Sequence, residues 1–267
     1  MKKTIIWIAI TFCLLLVASV VLYSLSITVK LETNEYEIKE TFENIKIITD
    51  TADIDFVLSE NLNTLIICEE HKNIKHSVNV KENTLLVEVN DNRKWYEHIG
   101  ISTSKITIYL SKNEYGEFIT ESDTGNIRIK SINANKLDLS TDTGNIHIKN
   151  INANKLDLST STGNLKIVNT KCKNLFSESD TGNILLENVI AAEKFKIETD
   201  TGNVKFKDSD ASDIFVKTDT GNVTGNLLTD KVIFAESDTG NVDVPKVITD
   251  EKCEIITDTG NIKITID

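Results

Sequence analysis

Along most of this chain apolar and polar residues alternate one by one. Leu137, Leu139 and Thr141 alternate with Asp138 and Ser140; a few residues on, Ile146 and Ile148 alternate with His147 and Lys149. A period of two places one set of side chains inside and the other in water, as a half-buried strand requires. A helix of this pattern would scatter its apolar residues around its circumference, and the recurring glycines would weaken it further.

The alternation comes in copies. Asp-Thr-Gly-Asn followed by Ile, Leu or Val recurs eight times, with glycines at Gly125, Gly144, Gly163, Gly182, Gly202, Gly221, Gly240 and Gly260, spaced 19 or 20 residues apart. Only the third copy departs, with Ser161 in place of Asp. Each unit reads as a strand, a tight turn, a second strand and a short bend such as Asn150-Ile151-Asn152-Ala153. The fold class that follows is all-β: a single-stack β-solenoid, parallel β-helix-like, with one 19–20-residue unit per coil. Coils about 4.8 Å apart let each strand hydrogen-bond its own copy, so eight span roughly 40 Å.

Turn chemistry suggests a role for each corner residue. Glycine is expected to supply a backbone with φ > 0, Asp to accept from the backbone two residues on, and Asn to tolerate the left-handed region. The residue before Asp is Ser or Thr in every copy, from Ser122 to Thr257. Its hydroxyl is expected to bond from coil to coil.

Residues 30–118 depart from the repeat. Thr49-Asp50-Thr51-Ala52-Asp53-Ile54 reads as a decayed turn, and the alternating runs Thr64–Cys68, Ser77–Val80, Leu85–Val89 and Lys105–Leu110 read as strands. Lys81-Glu82-Asn83-Thr84 reads as a hairpin turn. A solenoid needs an atypical end over its open edge, and this region is expected to be that cap.

The first residues are of another kind. Met1-Lys2-Lys3 precedes an uncharged run from Thr4 to Val29, long enough for the roughly 20 residues that a membrane helix needs. The lysines before it predict an N-terminus kept inside and a translocated body. Val17-Ala18-Ser19 offers a small-residue cleavage site, the alternative to an uncleaved anchor. Cys13, preceded by Ile10-Thr11-Phe12, does not sit in a lipobox. The division expected is therefore 1–29 cytoplasmic start and transmembrane anchor, 30–118 divergent cap, and 119–267 solenoid with eight Thr-Gly-Asn coils. The localisation expected is a single-pass cell-membrane protein with an extracytoplasmic body.

Composition agrees with strands and polar turns: the chain has one proline and 6% aromatic residues. The formal charge is −12; the first 29 residues hold two lysines and no acid, so the remainder carries −14. That balance argues against nucleic acid or anionic lipid as the main partner. Beyond Cys13 the cysteines are Cys68, Cys172 and Cys253. They are odd in number and without metal-ligand spacing, so they read as free thiols rather than a disulfide framework.

With these residues in view, the chain resembles a bacterial family of DUF4097-type β-strand repeat proteins, often labelled "putative adhesins". The resemblance rests on Lys105-Ile106-Thr107-Ile108-Tyr109-Leu110, on Phe118-Ile119-Thr120-Glu121-Ser122-Asp123-Thr124-Gly125-Asn126-Ile127, and on the later Thr-Gly-Asn copies, and covers roughly residues 40–267. Family members often follow the first strand with proline, where Ser111 stands here. The resemblance implies an envelope protein, some relatives being linked to envelope-stress signalling, and it brings no catalytic residues with it.

Candidate chemistry is sparse. His71 and His76, near Glu69 and Glu70, offer metal-ligand types, but a solvated polar segment accounts for them more simply. His147 takes the outward position that Arg128, Lys166 and Lys205 fill in other coils. Asp123, Asp142, Asp180, Asp200, Asp219, Asp238 and Asp258 should form a column, read first as structural turn residues and second as calcium ligands, although their spacing lacks the calcium β-roll pattern. The paired threonines around them, such as Thr199 and Thr201, resemble ice-binding arrays only weakly, since the second lies in a turn. Trp95-Tyr96-Glu97-His98 reads as packing under the cap, or else as a contact loop.

No catalytic, cofactor or metal residue is assigned from the sequence. The expected function is a non-enzymatic, adhesin-like binding or structural protein of the envelope. The alternatives are an envelope-stress sensor acting through a partner protein and, last, a carbohydrate-active enzyme, whose unique site near-identical coils leave little room for. Expected partners are the membrane through the N-terminal helix, an envelope protein or wall polymer, and further copies meeting end to end at the C-terminal coil.

Overall fold

The computed structural model describes residues 31–59, 63–91 and 103–267, and every regular element among them is a β-strand. No helix among the described residues is long and apolar enough to cross a membrane; the expected anchor, 1–29, lies outside them.

The alternation produces the coil directly. In the second copy the strand Asn133–Thr143 runs to the turn at Gly144, the strand Ile146–Lys149 follows, and Asn150, at φ 55°, makes the next corner. Each strand pairs in parallel with its counterpart one repeat away. Leu137 faces Leu156, which faces Leu175, then Phe195 and Ile214. Ile127, Ile146, Leu165, Ile184, Val204 and Val223 make the matching row on the other side of the turn. All these side chains are fully buried, so the core is a column of like on like. Where a repeat has one residue more, between Gly182 and Gly202, the pairing skips a position after Ala191 and the extra residue is absorbed as a bulge.

At the N-terminal end Asn44–Leu58 forms one more rung: Thr49 pairs with Ser122, Thr51 with Thr124 and Ile54 with Ile127. The decayed turn thus occupies the place of a true one. Beneath it Thr84–Asp91 and Ser104–Leu110 pair in parallel with its two halves. The antiparallel strands Ile74–Lys81, Thr64–His71 and Leu31–Ile38 close that end. Glu82 and Asn83, at φ 47° and 63°, make the hairpin turn read from the sequence.

The C-terminal end corrects an expectation. Coil seven does not stack on coil six. Lys252–Thr259 lies between Asp210–Thr220 and Val232–Thr239, and Ile262–Ile266 lies between Val223–Leu227 and Val242–Asp243. The spatial order is six, eight, seven, and the open edge belongs to coil seven. The physical reason is in the inward residues. Coil eight offers Ile255, Ile262 and Ile264, all buried, whereas the matching Ala235 and Val242 of coil seven are smaller and partly exposed. Burying the larger set inside the stack removes more apolar area from water, at about 0.8 kcal/mol per methylene.

Candidate functional site

The repeated turn has a structural job: the expected coil-to-coil hydroxyl bonds are present, while the roles expected of Gly and Asp are not. Gly163 is required because a Cβ there would lie 1.8 Å from the Gly144 carbonyl oxygen, and the other mid-stack turns are as tight. Close approach of successive backbones is the reason for glycine; of the eight turn glycines only Gly125 has φ in the left-handed range. From the second copy on, the hydroxyl that opens the turn donates to the glycine carbonyl of the adjoining coil, as Thr160 does to Gly144 and Thr257 to Gly221, at 3.0 and 3.1 Å, whereas Ser122 donates to Thr124 in its own turn. The turn Asn residues form a ladder: backbone N–H and side-chain amide of Asn164 both donate to Asn145 Oδ1, at 2.9 and 3.0 Å. Left-handed backbone is found instead at the second corner, at Ser131, Asn150, Asn169, Asn188 and Asp208.

The Asp column projects into solvent. Asp123, Asp142, Asp180, Asp200, Asp238 and Asp258 are exposed and accept no hydrogen bond from their own turns. Among the described residues, Cys68, Glu70 and His76 are the one set of three metal-ligating side chains whose donor atoms converge, all within 4.8 Å.

That set overturns the solvated reading of His76, which is 2% exposed, with Glu70 at 0%. The alternation of Thr64–His71 turns Cys68 and Glu70 inward together, and Ile74–Lys81 delivers His76 opposite them. His76 Nδ1 lies 2.6 Å from Glu70 Oε2, which also accepts the His76 backbone N–H at 2.9 Å. Asn34 donates to Glu70 Oε1 at 2.7 Å, and His76 Nε2 meets Thr49 Oγ1 at 2.9 Å. Burial, reinforced by Glu70, pushes the Cys68 thiol up to about 12. Glu70 and His76 are hydrogen-bonded to protein partners from the cap and the first rung, so the cluster is a hydrogen-bonded clamp between the two.

A second buried cluster escaped sequence reading. Lys231, 0% exposed, lies 2.8 Å from Asp210 Oδ1 and 2.5 Å from Glu251 Oε2, and it donates to Thr229 Oγ1, which lies 2.8 and 3.0 Å from Asp210 Oδ2 and Glu251 Oε2. Thr229 and Lys231 lie on the connection from coil six to coil seven and Glu251 on that from seven to eight, and the cluster ties both to Asp210, which opens the strand Asp210–Thr220 of coil six. Hydrogen bonding to Lys231 holds the Glu251 carboxyl below its usual range.

The outward surfaces differ from side to side. Along the strand before the turn, lysines are paired with acids two residues on: Lys136 with Asp138, Lys155 with Asp157 and Lys196 with Glu198, at 2.8, 3.0 and 2.5 Å. After the turn, Arg128, His147, Lys166 and Lys205 form an outward column interrupted only by Leu185. A shallow groove of about 540 Å³ runs over the third, short side, where Asn152 donates to Asn133 and Asn154 to Asn135, with Lys171 and Lys173 at its border. Trp95–His98 lies outside the described residues.

The Toastrack DUF4097 family profile matches residues 42–267. A search of curated proteins returned no match. Among solved structures, a "putative adhesin" from Bacteroides fragilis aligns with TM-score 0.60 and 20% identity, over 88% of this chain and 97% of that one. Another "putative adhesin", from Parabacteroides merdae, aligns with TM-score 0.55 and 16% identity, over 89% and 97%. At these identities the likeness is one of fold. Matched across its rungs and most of its cap, the chain belongs to the Toastrack DUF4097 family.

Proposed function

We propose that this protein is a non-enzymatic, adhesin-like binding rod of the cell envelope, tethered through its N-terminal segment with the body outside. The observation that carries this reading is the location of the polar groups. Those that come together in buried clusters, Glu70 with His76 and Lys231 with Asp210, are closed to solvent. Those open to solvent recur coil after coil as columns of similar residues, as the register of Asn, Asp and Lys positions shows. A surface of that kind suits repeated contacts with a partner better than a single reaction centre. The "putative adhesins" that share the fold support the same reading.

The test is retention of the chain on isolated envelope material, alongside incubation with the same glycans. Saturable retention with intact glycans is expected. Turnover of a glycan, abolished by changing one acid and by no other, would replace this reading with an enzymatic one. The tether is tested by fractionation: the body should stay with membranes and be open to protease added from outside.

A further inference from the structure

The outward side chains after the turn differ from those before it in one electrostatic respect. Before the turn, the cations are largely neutralised within their own strand, Lys217 with Asp219 at 3.3 Å adding to the pairs above. After it, two adjacent columns run up the stack. One is Arg128, His147, Lys166, Leu185 and Lys205; the other is Lys130, Lys149, Val168, Glu187 and Lys207. Among the described residues their only ion pairs lie towards the ends: Arg128 with Asp53 and Asp55, and Lys207 with Glu187. Lys130, Lys149, Lys166 and Lys205 have no carboxylate of the described residues within 4.0 Å. His147 reports the local field: burial first, then the charges of Lys166, Lys149 and Arg128, hold its imidazole below the usual range.

A chain of net charge −12 thus keeps one strip of uncompensated cations. Strand geometry sets its spacing. Rungs lie about 4.8 Å apart, so Arg128 and Lys166 are separated by roughly 10 Å and Lys205 lies roughly 10 Å beyond; the neighbouring column is about 7 Å away. The strip is long, and its charges are spread along it, so a compact anion would meet only one or two of them. An extended polymer with an anionic group in each repeat would meet most of them, with counterion release as the driving term.

We propose that this strip binds a linear polyanion laid along the rod axis, its charged groups opposite Lys149, Lys166 and Lys205. The proposal rests on the reading of the protein as a binding rod and gives that rod a partner class. The anionic groups are phosphate or carboxylate, and the two are separated by probe. The rest of the acidic surface repels the same polymer, which confines it to the strip and makes binding fall steeply with salt.

The experiment measures binding of the full chain to long-chain polyphosphate, to polygalacturonate and to neutral dextran. Binding to one or both polyanions, lost at high salt and absent with dextran, is expected. The variant K149S/K166S/K205S should lose at least about tenfold in affinity, the size of effect that a 1.4 kcal/mol change produces. The control K136S/K155S/K194S makes the same change in net charge before the turn and should bind as the native chain does. Equal losses in both variants would show a net-charge effect and overturn the proposal. So would tripolyphosphate binding as tightly as the long chain, or no binding to either polyanion. Circular dichroism verifies that both variants fold. Unchanged retention of the first variant on envelope material would sink the polyanion strip and leave the binding-rod reading standing, whereas glycan turnover would sink the latter.

Discussion

Gly163 and Asp180 stand in equivalent corners and carry opposite weights. A methyl at Gly163 must displace the backbone of the coil beside it, the carbonyl being 1.8 Å from the Cβ position. Gly163→Ala is therefore expected to split the ladder and lower the melting temperature by well over ten degrees. Asp180→Asn removes a solvated charge that takes no turn hydrogen bond, so a change within about 0.5 kcal/mol is expected. Calcium and chelator should leave the melting curve unmoved. The thiols offer a pH test at the same scale. Cys68, Cys172 and Cys253 are buried and unpaired, and burial pushes each up to about 12. The native chain binds these protons more tightly than the unfolded chain, whose thiols ionise near the ordinary value. The stability contribution is thus present below that value and is lost as pH rises towards 12. At mildly alkaline pH, alkylation of these three by iodoacetamide should proceed only at the rate of unfolding; fast labelling of any of them in the native chain, read by peptide mapping that sets Cys13 apart, would contradict the packing.

Between elements, two buried polar clusters join parts of the chain that the repeat alone does not hold together. Glu70→Ala leaves His76 and Asn34 without their common acceptor and is expected to cost about 3–5 kcal/mol, the scale of a broken buried pair. Urea melts should detect it as an early loss of the cap signal. Lys231→Met strands the Asp210 carboxylate, 5% exposed, at the crossing of coils seven and eight, with a comparable loss. Acid should act at the same place. The Glu251 carboxyl is held below its usual range by Lys231, so its contribution is present above that range and disappears as pH falls through the lowered value. Hydrogen exchange on Lys252–Thr259 should accelerate there before the middle coils respond.

For the whole molecule, the consequence of the coil exchange is where the rod ends. The unpaired edge includes Val232–Thr239, with Phe234 61% exposed, while the chain's last strand is paired along its length on one side and at Ile262 and Lys263 on the other. Copies that meet end to end should do so there. Light scattering of the concentrated chain is expected to show association that Phe234→Lys with Ala235→Pro removes and that changes at Thr265 leave alone. Alternation and the 19-residue spacing made the all-β class, the coil and its inward residues legible from the sequence, because a parallel in-register stack sets each side chain against its own copy. The turn motif announced its own importance, but its chemistry came from the neighbouring coil: steric closeness at glycine and the Asn ladder depend on what lies one rung away. Glu70 with His76, and Lys231 with Asp210 and Glu251, were not readable, since six residues in one case and about twenty in the other separate partners that no periodicity links. Local pattern determined what each coil is, since it acts within a single strand. Only tertiary structure decided the order of the last two coils and which cations stand unpaired, because both follow from comparing surfaces that the chain brings together after each coil has formed.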